Sequence, residues 1–220
     1  MNYETIIFDL YNTLIDDVRG TAERERFRLD NIYTILEKAQ YPVKFDELSE
    51  TYAEMMVYTA EQEEAGHAFH PVYQVKYLLE SLNAMDIVIY KKVYDIFAES
   101  VTQINPEPMK NAKKALEYLK EQGKQIGLIS NTGKTPGHAL RFMLLELGLF
   151  EYFDDMVFSE EIGFMKPSPL IFDLAIDRLQ ANREKTIYIG DIKSIDYEGA
   201  KNAGMHAHLC NRNEDDLLQF

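Results

Sequence analysis

The chain has 220 residues, 46% of them hydrophobic, enough for a large buried core and against global disorder. Its formal net charge of −14 argues against non-specific binding to nucleic acid, whose phosphates select cationic surfaces. Cys210 is the sole cysteine, which excludes an intrachain disulfide and a tetrathiolate zinc site.

Met1-Asn2-Tyr3-Glu4 lacks the basic and apolar regions of a signal peptide, and no apolar run approaches the ~20 residues that span a bilayer. A cytoplasmic protein without a membrane partner is expected. Ile6-Ile7-Phe8 is a short apolar run that reads as a buried strand. It stops at Asp9, and Asn12 marks a turn. An aspartate after a strand is more often a turn former than anything else. At the carboxyl end of a central parallel strand, however, it lies where open α/β sheets place their ligands. There a carboxylate can attack an electrophile or hold a cation.

Residues 16–20 form a polar connector, after which the pattern turns helical to about residue 100. Phe27, Ile32, Ile35 and Leu36 recur at helical spacing, as do Tyr52, Met55, Met56 and Thr59. Further helices are expected over 72–82 and 87–98, with Pro42 and Pro71 as punctuation and Asp46 or Ser49 as a cap. Arg24, Arg26, Arg28, His67, His70 and Lys76 could contact an anionic substrate, but they read more readily as solvated helix surface, since arginines at alternating positions cannot all face one pocket. Tyr52, Tyr58, Tyr73, Tyr77, Tyr90 and Tyr94 read as the core of this helical segment. Residues 104–108 form a second connector.

Strands and helices then alternate. A helix over 111–122 is closed by Gly123, and a strand over 125–129 ends in Ser130-Asn131-Thr132. A helix over 138–147 is closed by Gly148, and a short strand covers 156–158. Lys166-Pro167-Ser168-Pro169 leads into a helix over 170–179. A strand over 186–189 ends in Gly190-Asp191, followed by a helix over 197–203 and a strand near 206–209. His206 and His208 read as structural, and residues 213–216 as a solvated tail. Such alternation predicts an α/β fold, a doubly wound parallel sheet covered by helices on both faces. Its first strand is separated from the others by the helical segment. The predicted division is therefore a core of residues 1–16 and 105–220, with 17–104 inserted as a cap that opens and closes over the sheet edge.

The strand ends carry complementary chemistry. Ser130 and its neighbouring N–H groups can bind an anion, although Ser-Asn-Thr-Gly alone is an ordinary turn. Prolines beside Lys166 fix its backbone, so its ammonium can neutralise a nucleophilic aspartate and an incoming anion. Asp191 and Asp196, converging on Asp9, would make an oxygen-rich site suited to Mg²⁺.

In this order, Asp9-x-Tyr11-x-Thr13, Ser130-Asn131, Lys166-Pro167 and Gly190-Asp191-x-x-x-x-Asp196 resemble the haloacid dehalogenase (HAD) superfamily of hydrolases, with the helical segment in place of its type-1 cap. The resemblance covers essentially the whole chain. It implies that Asp9 is a nucleophile forming a covalent aspartyl intermediate, and that Lys166 and Tyr11 are further catalytic positions. Thr13, Ser130 and Asn131 would hold the transferred group. Mg²⁺ would be bound by Asp9, the Tyr11 carbonyl, Asp191 and Asp196, and the substrate would be a small anionic metabolite.

One position departs from the family's phosphatases. Two residues after the nucleophile they carry an aspartate that protonates the leaving oxygen and then activates water, whereas this chain has Tyr11. A phenol with an ordinary pKa of ~10 is a poor general base. Tyrosine there resembles the 2-haloacid dehalogenase branch, whose halide leaving group needs no proton. That branch works without a metal and lacks the Gly190-Asp191…Asp196 pattern. Asp191 and Asp196 would leave uncompensated charge beside Asp9 unless a cation were present. The first expectation is therefore a Mg²⁺-dependent phosphatase. A carbon–halogen hydrolase is second, and a catalytically weak binding or regulatory protein third.

Overall fold

A computed structural model of the protein describes residues 3–16, 20–211 and 217. The elements begin with β1 (Thr5–Phe8) and β2 (Ile15–Asp16). Helices α1 (Thr21–Lys38), α2 (Phe45–Glu64), α3 (Pro71–Ser81) and α4 (Ile87–Gln103) follow, then β3 (Glu107–Pro108). The remainder runs α5 (Ala112–Glu121), β4 (Gln125–Ser130), α6 (Gly137–Glu146), β5 (Asp155–Phe158), α7 (Ser159–Ile162) and α8 (Pro169–Leu179). It closes with β6 (Thr186–Gly190), a π-helical turn over Lys193–Tyr197, α9 (Glu198–Asn202) and β7 (His206–Leu209).

Five strands form a parallel sheet in the order β5-β4-β1-β6-β7. From β1 the chain adds β4 and β5 on one side, then crosses to add β6 and β7 on the other. The order reverses at β1, so a crevice opens beyond its carboxyl end. Successive side chains of a strand face opposite ways, and β1 shows why its run is apolar throughout. Ile6 and Phe8 pack with Ala115, Leu116 and Leu119 of α5 and Leu140, Met143 and Leu144 of α6. Ile7 packs on the other face with Ile171, Phe172, Ala175 and Leu179 of α8. The expected doubly wound α/β core is present.

Helices α1 to α4 form the insert and share their own apolar cluster, from Ile32 and Leu36 to Val93 and Phe97. The two connectors that bound it pair as an antiparallel ribbon, Ile15 opposite Pro108 and Asp16 opposite Glu107. Tyr52 is buried, and Tyr77, Tyr90 and Tyr94 pack partly against the cluster. Tyr58 and Tyr73 instead stay exposed, Tyr58 stacking on Tyr77 and Tyr73 lying against Phe69. The α2 cap is Lys44, whose N–H donates to the Glu47 carboxylate, so Asp46 and Ser49 lie inside the helix. His67 and Lys76 are solvated as expected, with Lys76 3.7 Å from Glu80. His70 caps α3, its Nδ1 accepting from Val72 N. His206 and His208 sit half-buried on β7.

Arginines 24 and 28 depart from the expectation of solvated surface. The buried stripe of α1 is Arg24, Arg28, Ile32 and Leu36, four residues apart each time, so two cations continue an apolar face. Arg26, between them, is exposed and pairs with Asp30. No helix among the described residues is long and apolar enough to cross a membrane. The connector residues 17–19 and the expected tail at 213–216 lie outside the described residues.

Candidate active site

Asp9 follows β1 directly. Its N–H donates to Ile189 O at 2.8 Å, which carries the β1–β6 ladder one residue further and fixes where the carboxylate emerges. Lys166 reaches it from the loop before α8. The ammonium donates to Asp9 Oδ1 at 2.6 Å, to Asp196 Oδ1 at 2.8 Å and to the Tyr188 hydroxyl at 2.8 Å. All three donors of the lysine are therefore used, and its side chain is only 2% exposed. Asn131 sets the backbone of that loop. It donates to Lys166 O at 3.0 Å and accepts from Lys166 N at 2.8 Å, tying the end of β4 to the lysine.

Asp196 comes from the π-helical turn. Its Oδ2 accepts from Ile192 N at 2.9 Å, a bond back to the residue that enters the turn, while Oδ1 faces Lys166 and accepts from Tyr188 at 3.2 Å. Such proximity requires Gly190, because a Cβ built there would lie 2.7 Å from Asp196 Oδ2 and closer still to its Cγ. Gly190→Ala is therefore expected to displace Asp196 and to cost about 1–3 kcal/mol, the usual range for overpacking. A urea melt superimposable on wild type would contradict this packing.

Burial pushes the Asp9 carboxyl up to about 6; Lys166 opposes the rise, and the Asp196 and Asp191 carboxylates add to it. Burial likewise works against the Lys166 charge, but Asp9 and Asp196 outweigh it and hold the ammonium above its ordinary range. The Tyr188 phenol is pushed well above its usual value by burial and then by Asp196 and Asp9, so it remains an O–H donor. One ammonium faces three carboxylates. Asp9, Asp191 and Asp196 each offer an oxygen, and these atoms lie within 4.8 Å of one another. An all-oxygen set with a net negative charge suits a hard cation such as Mg²⁺, which would oppose the rise at Asp9.

A cavity of about 390 Å³ opens from these residues toward the insert. Asp9, Tyr11, Asn131, Lys166, Asp191 and Asp196 all border it. Thr13 and Ser130 do not; both are fully buried behind it, and Thr13 Oγ1 meets no hydrogen-bond partner among the described residues. Ser130 Oγ donates to Asn131 O at 3.3 Å. The opposite wall is built by the insert. Glu25 forms an ion pair with Lys134, from the loop after β4, and accepts from Tyr52 OH at 2.6 Å. Burial tends to raise the Glu25 carboxyl, but Lys134 leads the opposing groups that hold it below its ordinary value. Gln74 donates to Gly133 O at 3.3 Å. The loop itself is anchored from below by Glu160, which accepts from Thr132 Oγ1 and Gly137 N at 2.6 Å each.

Tyr188 was not singled out in the sequence, because it sits mid-strand, where a tyrosine reads as ordinary core. Arg24 and Arg28 were named but read as solvated surface, although the four-residue spacing shared with Ile32 and Leu36 was a signal of burial.

A glyceraldehyde 3-phosphate phosphatase of Methanothermobacter thermautotrophicus is 38% identical over 104 residues, covering 47% of this chain and 45% of that protein. The protein of the same name from Pyrococcus furiosus is 27% identical over 212 residues, 92% of this chain and 78% of the relative. Other than in that longer match, the chain spans about half the length of the curated relatives it matches. The 2-haloacid dehalogenase of Pseudomonas syringae pv. Tomato DC3000 shares the fold, with a TM-score of 0.73 at 22% identity over 95% of this chain and 86% of that one. The model of haloacid dehalogenase-like hydrolases matches residues 3–204, and the chain belongs to that family.

Proposed function

We propose that this protein is a Mg²⁺-dependent phosphatase of a small phosphorylated metabolite. The observation that carries the reading is the convergence of Asp9, Asp191 and Asp196 within 4.8 Å around buried Lys166. Relatives named as glyceraldehyde 3-phosphate phosphatases support phosphate transfer from a small substrate. Residues 17–104 act as the cap and residues 1–16 and 105–220 as the catalytic core.

Asp9 Oδ2, the oxygen not held by Lys166, attacks phosphorus as the bond to the leaving oxygen breaks, and that oxygen departs as an anion that takes its proton from solvent; water then attacks the aspartyl phosphate, releasing phosphate and restoring the Asp9 carboxylate. Lys166 holds Asp9 ionised and in place, and its charge offsets that of the incoming phosphoryl group. Tyr188 and Asn131 fix Lys166 from side chain and backbone. Asp9, Asp191, Asp196 and the Tyr11 carbonyl would hold Mg²⁺, which supplies charge neutralisation for the phosphoryl oxygens. Thr13 and Ser130 support the walls of the site from behind.

Tyr11 favours a second reading, hydrolysis of a carbon–halogen bond, in which the leaving group needs no proton. The two are separated by measuring phosphate release from acetyl phosphate and p-nitrophenyl phosphate, with Mg²⁺ and with EDTA, beside chloride release from 2-chloropropionate. Phosphate release that EDTA suppresses is expected. Chloride release indifferent to EDTA would instead establish the second reading.

A further inference from the structure

We infer that Arg24 and Arg28 form a second anion site in the roof of the cavity, so that the substrate is a phosphomonoester whose leaving group carries a further anion, a carboxylate or a second phosphoryl group. This rests on the phosphatase reading and specifies its substrate class. Both side chains lie on the buried stripe of α1 and border the same cavity as Asp9. Arg24 is 4% exposed and Arg28 3%.

The guanidinium of Arg28 is poorly satisfied for so buried a charge. It stands 3.4 Å from Glu25 Oε1 and 3.5 Å from Thr135 Oγ1, both long for bonds from a cation, with the Tyr52 hydroxyl also beside it, and its Nε meets no hydrogen-bond partner among the described residues. The contrast with Lys166, which has three contacts of 2.6–2.8 Å, is plain. A buried guanidinium is costly to leave in this state, and an incoming oxyanion would supply the missing acceptors. The Phe97 ring, 5.8 Å from Arg28 Cζ, and the contacts of Arg24 with Ile104 O and Thr21 keep the pair in position.

Charge at the roof also fits an anion. Arg24, Arg28 and Lys134 face Glu25 and Glu63 there, and Glu25 is shared between Lys134, Tyr52 and, more distantly, Arg28. Burial pushes the Glu63 carboxyl up, with Lys134 opposing. The floor is the reverse, with three carboxylates against one ammonium. A substrate anionic at one end only would leave the roof unmatched. One anionic at both ends would match the roof with one anion and, with Mg²⁺ held by the carboxylates, the floor with the other.

The test compares matched pairs: 3-phosphoglycerate with glycerol 3-phosphate, and fructose 1,6-bisphosphate with fructose 6-phosphate. Each pair differs in the second anion, and the two pairs distinguish carboxylate from phosphoryl. Affinities are measured calorimetrically on Asp9→Asn protein with Mg²⁺, so no turnover is needed, and kcat/KM on wild type. Binding at least about tenfold tighter to the doubly anionic member of one pair is expected, the equivalent of a charge-assisted bond. That ratio should collapse toward one in Arg28→Gln and in the Arg24→Gln/Arg28→Gln double variant. Equal affinity within both pairs for protein with intact arginines would overturn the proposal without any variant that might misfold, and so would a ratio that survives in a folded double variant. Selective binding with no phosphate release from any substrate, acetyl phosphate included, would retain the second site and overturn the phosphatase reading instead.

Discussion

Asn in place of Asp9 is expected to remove phosphate release from acetyl phosphate, by about 10⁴-fold or more, the scale seen when a nucleophile is deleted. The substitution preserves shape, and an amide oxygen can still accept from Lys166 at the position now occupied by Oδ1. What it removes is the nucleophilic anion. The loss therefore belongs in the chemical step and not in folding, so the melting temperature should stay close to wild type. A rate reduced only a few-fold would exclude a covalent intermediate on Asp9. It would point to water as the attacking group, with Asp9 a spectator.

The second large effect is structural. Lys166→Met is expected to destabilise the protein by about 3–5 kcal/mol in EDTA, the cost of stranding a buried charge by removing its partner. Asp9 and Asp196 would then face each other in a nearly dry site, with Asp191 adding to the repulsion. Methionine matches the stem of the lysine, so little of the loss would come from packing. Mg²⁺ should restore part of the stability by taking over the neutralising role. A variant within about 1 kcal/mol of wild type in EDTA would show that the carboxylates already share a proton and do not need the ammonium.

The sheet and the order of the candidate site residues were legible in the sequence because these side chains lie just beyond a strand or close to the start of a helical turn. Apolar runs stop at those points, and the stop is visible as a change of residue type. Asp9, Lys166, Asp191 and Asp196 could therefore be placed before any geometry was known. Tyr188 could not, since a phenol aimed from mid-strand at Lys166 has the same signature as one aimed into the core. The insert was harder. Reading Arg24, Arg26 and Arg28 as an alternating set obscured the helical pair within it, although 24, 28, 32 and 36 share one face. Surface charge and a buried cationic wall look alike until the neighbours across the seam, Lys134 and Thr135, are known. Those neighbours come more than a hundred residues later in the chain.

The β2–β3 ribbon bears on how such a chain can be rebuilt. Asp16 and Glu107 are ladder partners, so the points where the chain leaves and re-enters the sheet domain already lie side by side. Joining them with a two-residue Asn-Gly turn would make an ordinary hairpin of the ribbon, at little loop-closure cost. Such a junction would leave every strand of the main sheet in its present register. What it would have to supply again is the apolar cover given by Ala98 and Val101, which pack into the same cluster as Leu14 and Leu140.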